Sequence, residues 1–306
     1  MDEIPEPSSR GRKRLRDQED TELQCSDLDQ TLSLEENLPF SDTLVALRMM
    51  RGQFPHIEKV AIQPFVLRSQ LYSSVKDRTQ VDRELEVWFL ALILKNFVES
   101  RMGYQYLAII SVIYYHFPFY RWCLRREKVV RIFKLNTGQD DHAVMFLDDY
   151  LNQIECVVKR LGEKKQGDLE VFKWFRTHVV DAKLESSIEH QELHTLLSLG
   201  GKVKDGHISL LINAGLFTRQ LIDPNMYWFA IPNIGSVLKG LSQGRKEVLS
   251  FLNRRRYKEM MLTSMEKKRL RLSPLDMRFH LRDLIGSGHL KTNQTSTGLV
   301  VQVSKD

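Results

Sequence analysis

Between Gly244 and Arg271 the sequence holds ten Lys and Arg residues against three carboxylates, Glu247, Glu259 and Glu266, a local net charge of +7. The whole 306-residue chain carries only +6. The cations are Arg245, Lys246, Arg254, Arg255, Arg256, Lys258, Lys267, Lys268, Arg269 and Arg271. Such a grouping suits one kind of chemistry. Lys and Arg neutralise phosphates and release condensed counterions, so affinity for nucleic acid is high at low salt and falls as salt rises. Nothing in the stretch demands base readout. Asn253 suits adenine and arginine suits guanine, but phosphate contact is the commoner use of these side chains. All ten are therefore candidate duplex-DNA contacts, with RNA as another polyphosphate for the same surface. The plain alternative is a solvated helix face.

Other chemistries find less support. A protein kinase needs a glycine-rich loop, a strand lysine, an HRD-type base and a DFG-type metal ligand. Gly200-Gly201 lacks the spacing, and His280-Leu281-Arg282-Asp283 has similar letters in the wrong order. Asp140-Asp141 falls in a turn, and Asp148-Asp149 at a helix N-terminus, where acidic residues are favourable without any metal. The three cysteines, Cys25, Cys123 and Cys156, are far apart and form no CxxC pair, which supports neither a disulfide framework nor a zinc site. No nucleophile with a base and an orienter is recognisable. The expectation is a non-enzyme without metal or cofactor. The pI near 9.1 favours an anionic partner.

The elements that carry the cations follow from apolar spacing. Val237, Leu238, Leu241, Val248, Leu249 and Leu252 predict a helix over 234–256, open to a break at Gly244, and Met260 and Met261 one over 257–268. A helix over 275–285 stops at Gly286. Strands at 290–293 and 299–303 then pair around Ser296-Thr297-Gly298. The same order appears twice earlier. Helices at 149–161, 168–180, 187–199 and 207–214, the last stopped by Gly215, precede strands at 216–221 and 226–231. Before them, Ser41 or Asp42 caps a helix through Met50, helices follow at 64–73 and from Asp77, and strands at 129–135 and 142–146 flank Asn136-Thr137-Gly138. The fold class is α+β, mainly helical, with three tandem winged-helix domains at 41–150, 151–233 and 234–306. Another α+β arrangement is the alternative.

A tail at 1–40 has few apolar residues to bury. Its basic cluster, Arg10, Arg12, Lys13, Arg14 and Arg16, reads as a nuclear localisation signal or a loose nucleic-acid arm. The N-terminus lacks the apolar core of a secretory signal.

Residues 87–120 break the first unit: 34 residues with only Lys95, Glu99 and Arg101 charged. A membrane span is one reading. Against it, tyrosines, His116 and Pro118 dilute the run, and it separates a helix from a hairpin that must pack together. A third reading uses the genetic code. Every valine codon begins with GU, as introns do, and the codons from His116 to Arg121 can form a pyrimidine-rich run ending in AG. We favour a retained intron or gene-model error, with Glu86 continuing into about Trp122, over a span or a real insertion. No membrane partner is expected.

With 87–120 set aside, the chain resembles one family. The first unit carries Val66-Leu67-Arg68-Ser69-Gln70-Leu71-Tyr72-Ser73, Asp77-Arg78-Thr79 and Asp82-Arg83-Glu84-Leu85. The second carries Asn213-Ala214-Gly215, Trp228 and Ile231-Pro232. The third carries Gly244-Arg245, Val248-Leu249-Ser250, Tyr257, His280, Asp283-Leu284-Ile285-Gly286 and Ser296-Thr297-Gly298-Leu299. These are similar to the tandem winged-helix repair factor family once labelled serine/threonine-protein kinase nineteen, over residues 55–303. The resemblance implies three winged helices in a nuclear protein that binds double-stranded DNA and chromatin. It also implies a part in transcription-coupled nucleotide excision repair, with contacts to stalled RNA polymerase II and its repair factors and placement of TFIIH on downstream DNA. Carried over by position, the family's DNA contacts fall on or beside Arg254, Arg256, Lys258, Lys268 and Arg269. One basic position of the family aligns with Asn253, where Arg255 is the neighbouring replacement.

The helix from Arg78 to Leu85 has Arg78 and Arg83 balanced by Asp82 and Glu84, and the helix at 207–214 has no Lys or Arg. The first two units are therefore expected mainly to bind protein and the third DNA. The competing class is a protein-only scaffold whose basic surface meets an acidic partner.

Overall fold

The computed structural model describes residues 41–58, 60–85, 128–137, 141–163 and 168–304. The basic cluster from Arg10 to Arg16, the apolar stretch 87–120, Gly138 and Asp140 lie outside the described residues. One order of elements recurs three times. The first set is α1 (Asp42–Gly52), β1 (Val66–Leu67), α2 (Arg68–Ser74), α3 (Arg78–Leu85), β2 (Val130–Lys134) and β3 (His142–Phe146). The second is α4 (Leu147–Glu163), α5 (Glu170–Trp174) continuing into a π-helix (Phe175–Val180), β4 (Ser187–Glu189), α6 (His190–Ser198), α7 (Asp205–Asn213), β5 (Phe217–Arg219) and β6 (Met226–Phe229). The third is α8 (Gly235–Asn253), β7 (Glu259–Met261), α9 (Leu262–Glu266), α10 (Met277–Gly286), β8 (Leu290–Thr295) and β9 (Gly298–Val303).

Each set closes a three-stranded antiparallel sheet with its last strand in the middle: β1-β3-β2, β4-β6-β5 and β7-β9-β8. The first strand of each sheet corrects the sequence reading, which ran helices over 64–73, 187–199 and 257–268. Two or three residues are too few to show a period of two. They become strands only by pairing with a distant hairpin: Val66 opposite Val144, Ile188 opposite Tyr227, Met260 opposite Val301. The helices that follow begin where that pairing ends.

The glycines sort by what surrounds them. Gly215 has φ +80 just beyond α7, the left-handed stop expected of it. Gly286 is different. It is the last residue of α10, and an added Cβ would lie 1.6 Å from the Ser69 carbonyl oxygen. The left-handed residue there is Gly288, at φ +85. Gly244 does not break α8; it is buried within it, against the His280 ring.

The first two sets share one core, built from Phe65, Phe133, Tyr150, Phe172, Phe175, Phe217 and Phe229 among others. Arg131 of β2, 3 % exposed, lies 3.9 Å from the Phe229 ring centroid and donates to the carbonyls of Val180 and Lys183 at 3.2 and 3.0 Å. The third set has its own core of Val248, Leu252, Met265, Met277, Leu281, Leu284, Leu290 and Val301. It joins the first through α10 and α2, and Val237, Leu241, Leu275 and Phe279 extend into the core of the first two sets. The Ser69 hydroxyl donates to Asp283 Oδ1 at 2.6 Å, and Gln70 Nε2 to the Phe279 carbonyl at 3.0 Å. Phe54, Phe65 and Phe279 meet with ring centroids 5.3 to 6.1 Å apart. The described residues accordingly belong to one compact unit. No helix among the described residues is long and apolar enough to cross a membrane.

Candidate nucleic-acid interface

Helix α8 buries Val237, Gly240, Leu241, Gly244, Val248 and Leu252 along one stripe. The stripe ends at Leu252, and the helix ends at Asn253. Arg254, Arg255, Arg256 and Lys258 therefore lie in a turn beyond it rather than on the helices over 234–256 and 257–268 that the sequence predicted. Backbone bonds shape the turn: Arg255 N–H donates to Leu252 O at 2.9 Å and Lys258 N–H to Arg255 O at 3.1 Å. Lys258 has φ 53, uncommon for a residue with a side chain. Its carbonyl accepts from Val303 N–H at 3.1 Å, which fixes the turn to β9.

The second basic run also lies outside regular structure. Helix α9 is short and ends at Glu266, so Lys267, Lys268, Arg269 and Arg271 occupy the connection to α10. Glu247 holds this connection down. Its carboxylate accepts from Arg271 N–H at 3.1 and 3.2 Å and from Leu272 N–H at 3.1 Å. One of the three local carboxylates is thus spent on backbone rather than on a cation.

Phe251 brings the two runs together. Its ring centroid is 5.8 Å from the Arg255 guanidinium carbon and 4.2 Å from Lys268 Nζ. The negative face of an aromatic ring attracts both cations. Arg256 lies 5.3 Å from the Tyr257 ring centroid. Arg254, Arg255, Arg256, Lys258, Lys267, Arg269, Arg271 and Lys246 are exposed, and Lys268 is half-buried. Among the described residues none of these nine makes an ion pair. A surface of unneutralised cations close together raises the local potential and can take up anions.

Arg245 is the exception and corrects the sequence assignment. Its Nε donates to Asp283 Oδ2 at 2.6 Å, and its Nη1 to Asp141 Oδ2 at 2.7 Å. The Arg245 side chain is 19 % exposed and that of Asp283 0 %. Burial alone would ease its proton off, but the two carboxylates raise its pKa further above the ordinary arginine value. Asp141 is likewise held below the usual carboxylate range: burial opposes this, and the bonds from Arg245 and Thr137 outweigh it. Arg245 is a structural clamp whose charge is met by two carboxylates.

Helix α10 precedes the third hairpin, the place from which a helix-turn-helix reader lays its recognition helix in a groove. Here Met277, Phe279, His280, Leu281, Asp283, Leu284 and Gly286 of α10 are buried. Arg278 and Arg282 are the cations left on its open edge, and the sequence reading did not select them. The signal was their spacing of four residues, which puts both on one face of a helix.

The other charged helices are occupied with themselves. Asp82 of α3 takes Arg68 at 2.8 Å and the Tyr72 hydroxyl at 2.5 Å, while Glu84 accepts from Ser41 and Gln80. The carboxylates of α3 therefore balance other groups than Arg78 and Arg83. Burial and the bond to Asp82 push the Tyr72 hydroxyl up to about 12. Asp148 and Asp149 open α4, the position read for them, and Asp149 Oδ1 accepts from Arg51 at 2.7 Å. Burial raises the Asp149 pKa despite Arg51. Helix α7 carries no Lys or Arg, and the hairpin after it exposes Leu221 and Ile222 fully.

The family model described as inactive serine-threonine protein kinase 19 matches residues 122–303, beginning just beyond the 87–120 stretch. A Xenopus laevis protein named winged helix repair factor 1 is 35 % identical over 249 residues, covering 80 % of this chain and 76 % of its own. The Homo sapiens protein of that name is 25 % identical over 244 residues, 79 % of this chain and 78 % of its own. A Dictyostelium discoideum namesake is 25 % identical over 212 residues, 58 % of this chain and 53 % of its own. With a match across more than half its length, the chain belongs to the family described as inactive serine-threonine protein kinase 19.

Proposed function

We propose that the chain is a non-catalytic, nuclear, double-stranded-DNA-binding repair protein made of three tandem winged-helix units, at 41–150, 151–233 and 234–306. The observation that carries DNA binding is the pair of basic runs, free of ion pairs among the described residues, that meet where Arg255 and Lys268 share the Phe251 ring. Because α10 is packed against α2, duplex meets the third unit through two basic connections, Arg254 to Lys258 and Lys267 to Arg271, rather than through a recognition helix. Phosphate contact predominates, and sequence preference is weak. The names of the relatives, and the threefold recurrence of one sheet order, support winged helices and a repair role.

The finer part of the reading rests on the family resemblance. It places the chain in transcription-coupled nucleotide excision repair on chromatin, bridging the stalled RNA polymerase II complex, TFIIH and downstream DNA. The second unit takes protein contacts, a division favoured by the absence of Lys and Arg from α7 and by exposed Leu221 and Ile222.

The test is binding of the full chain to an arbitrary-sequence duplex and to an acidic polypeptide at low salt. Binding of duplex is expected. Binding of the polypeptide with no binding of duplex would replace this reading by the protein-only scaffold. For the repair role, cells without the chain should recover RNA synthesis slowly after ultraviolet damage; normal recovery would remove that assignment.

A further inference from the structure

The basic connection after α9 faces a cleft of about 410 Å³ whose walls include Glu266, Lys267, Lys268, Arg269, Asp276 and Arg278. Four cations stand there against two carboxylates. Asp276 is already engaged, since it caps α10 by accepting from Phe279 N–H at 2.8 Å. Glu266 sits 3.6 Å from Arg278, whose side chain is 59 % exposed, a loose solvated pair of little strength. Arg278 also borders a second cleft, of about 190 Å³, between α10 and the end of α1. Its walls include Gln53 and Arg282, and Arg282 Nη2 donates to the neutral Gln53 amide oxygen, which leaves its charge unneutralised. Arg278 and Arg282 stand one helical turn apart, about 6 Å along the axis. Two other cations at the joints of the first set are locked by carboxylates: Arg245 by Asp141 and Asp283, Arg51 by Asp149.

We propose that Arg278 and Arg282 form a second row of phosphate contacts, carrying bound duplex DNA from the basic connections along the open edge of α10 to the end of α1. The proposal rests on the DNA-binding reading above and extends it. It makes α10 a phosphate rail instead of a groove reader. It also makes the first unit part of the footprint, through the end of α1.

The experiment is a salt titration of a labelled arbitrary-sequence duplex with the full chain. It compares Arg278→Gln with Arg282→Gln together, Arg278→Gln alone, and both positions changed to lysine. The double glutamine variant is expected to bind several-fold more weakly at fixed salt, with its log–log slope lower by about two, and the single variant by about one. The lysine variant should keep the parent slope. Arg278 makes one loose surface pair, so the single variant is free of any folding defect at the α1–α10 contact. Unchanged slopes in both glutamine variants, with binding still abolished by mutating the Arg254 to Lys258 turn, would overturn the rail and leave the DNA reading intact. No duplex binding by the parent would overturn both.

Discussion

Arg245 of α8 and Asp283 of α10 form a pair, Nε to Oδ2 at 2.6 Å, that ties the third set of elements to the first. Asp283 also receives the Ser69 hydroxyl of α2, while Arg245 reaches Asp141 beside the first hairpin. Removing one partner of such a pair leaves an uncompensated charge in the interior. Arg245→Ala should therefore destabilise the fold by about 3 kcal/mol. The denaturant midpoint would show this. A midpoint within error of the parent would mean that the clamp is dispensable. Because the Arg245 charge is already met by Asp141 and Asp283, folded Arg245→Ala protein should keep the parent's salt slope.

The packing of α2 on α10 depends on the absence of one methyl group. Gly286→Ala would drive a Cβ into the Ser69 carbonyl and force the helices apart, at a cost of about 3 kcal/mol or more. Gly288→Ala meets no neighbour and costs only the left-handed backbone penalty, about 1 kcal/mol. Thermal or chemical unfolding of the two variants checks the order. Equal losses would contradict the packing described.

His280 gives the fold a pH dependence. Burial lowers its pKa to about 4, and Asp283 only partly offsets this. Its Nε2 lies 2.8 Å from the Ser273 hydroxyl. The folded pKa is below the unfolded value near 6.5, so the unfolded chain binds the proton first. Stability should be fully present above about 6.5 and should fall as pH drops towards 4, by up to about 1.4 kcal/mol per pH unit. Asp141, also depressed, adds a loss only at lower pH, below the ordinary carboxylate range. Urea midpoints at several pH values test this; His280→Gln should flatten the upper window. A profile of equal slope in that variant would assign the effect elsewhere.

Phe251 organises charge without carrying any. Phe251→Leu keeps every cation but frees Arg255 and Lys268 from a common ring. Duplex affinity should fall by a few-fold, with a salt slope close to the parent's, since the number of neutralised phosphates is unchanged. An unchanged affinity would mean that the ring does not organise the site.

The long helices and hairpins were legible in the sequence because their signals are local. Val237, Leu241, Val248 and Leu252 repeat at helical spacing in α8, and Gly215 stops α7 where expected. The strands Val66–Leu67, Ser187–Glu189 and Glu259–Met261 were not legible, because only a partner far along the chain makes them strands. The same limit applied to the site. The basic runs were visible as composition, but Arg245 looked like one more cation, since Asp141 is 104 residues away and Asp283 is 38. Arg278 and Arg282 lie outside the dense basic runs, and only the packing of α10 against α2 shows which edge of the helix stays open.

The central claim is that the turn after α8 reads phosphates. The most direct measurement is the salt dependence of duplex binding by the full chain, beside the chain with Arg254, Arg255, Arg256 and Lys258 changed to alanine. A clear log–log slope is expected for the parent. The variant should bind more weakly, with a slope shallower by about one unit for each phosphate that is no longer neutralised. A variant that matches the parent in both affinity and slope would contradict the claim.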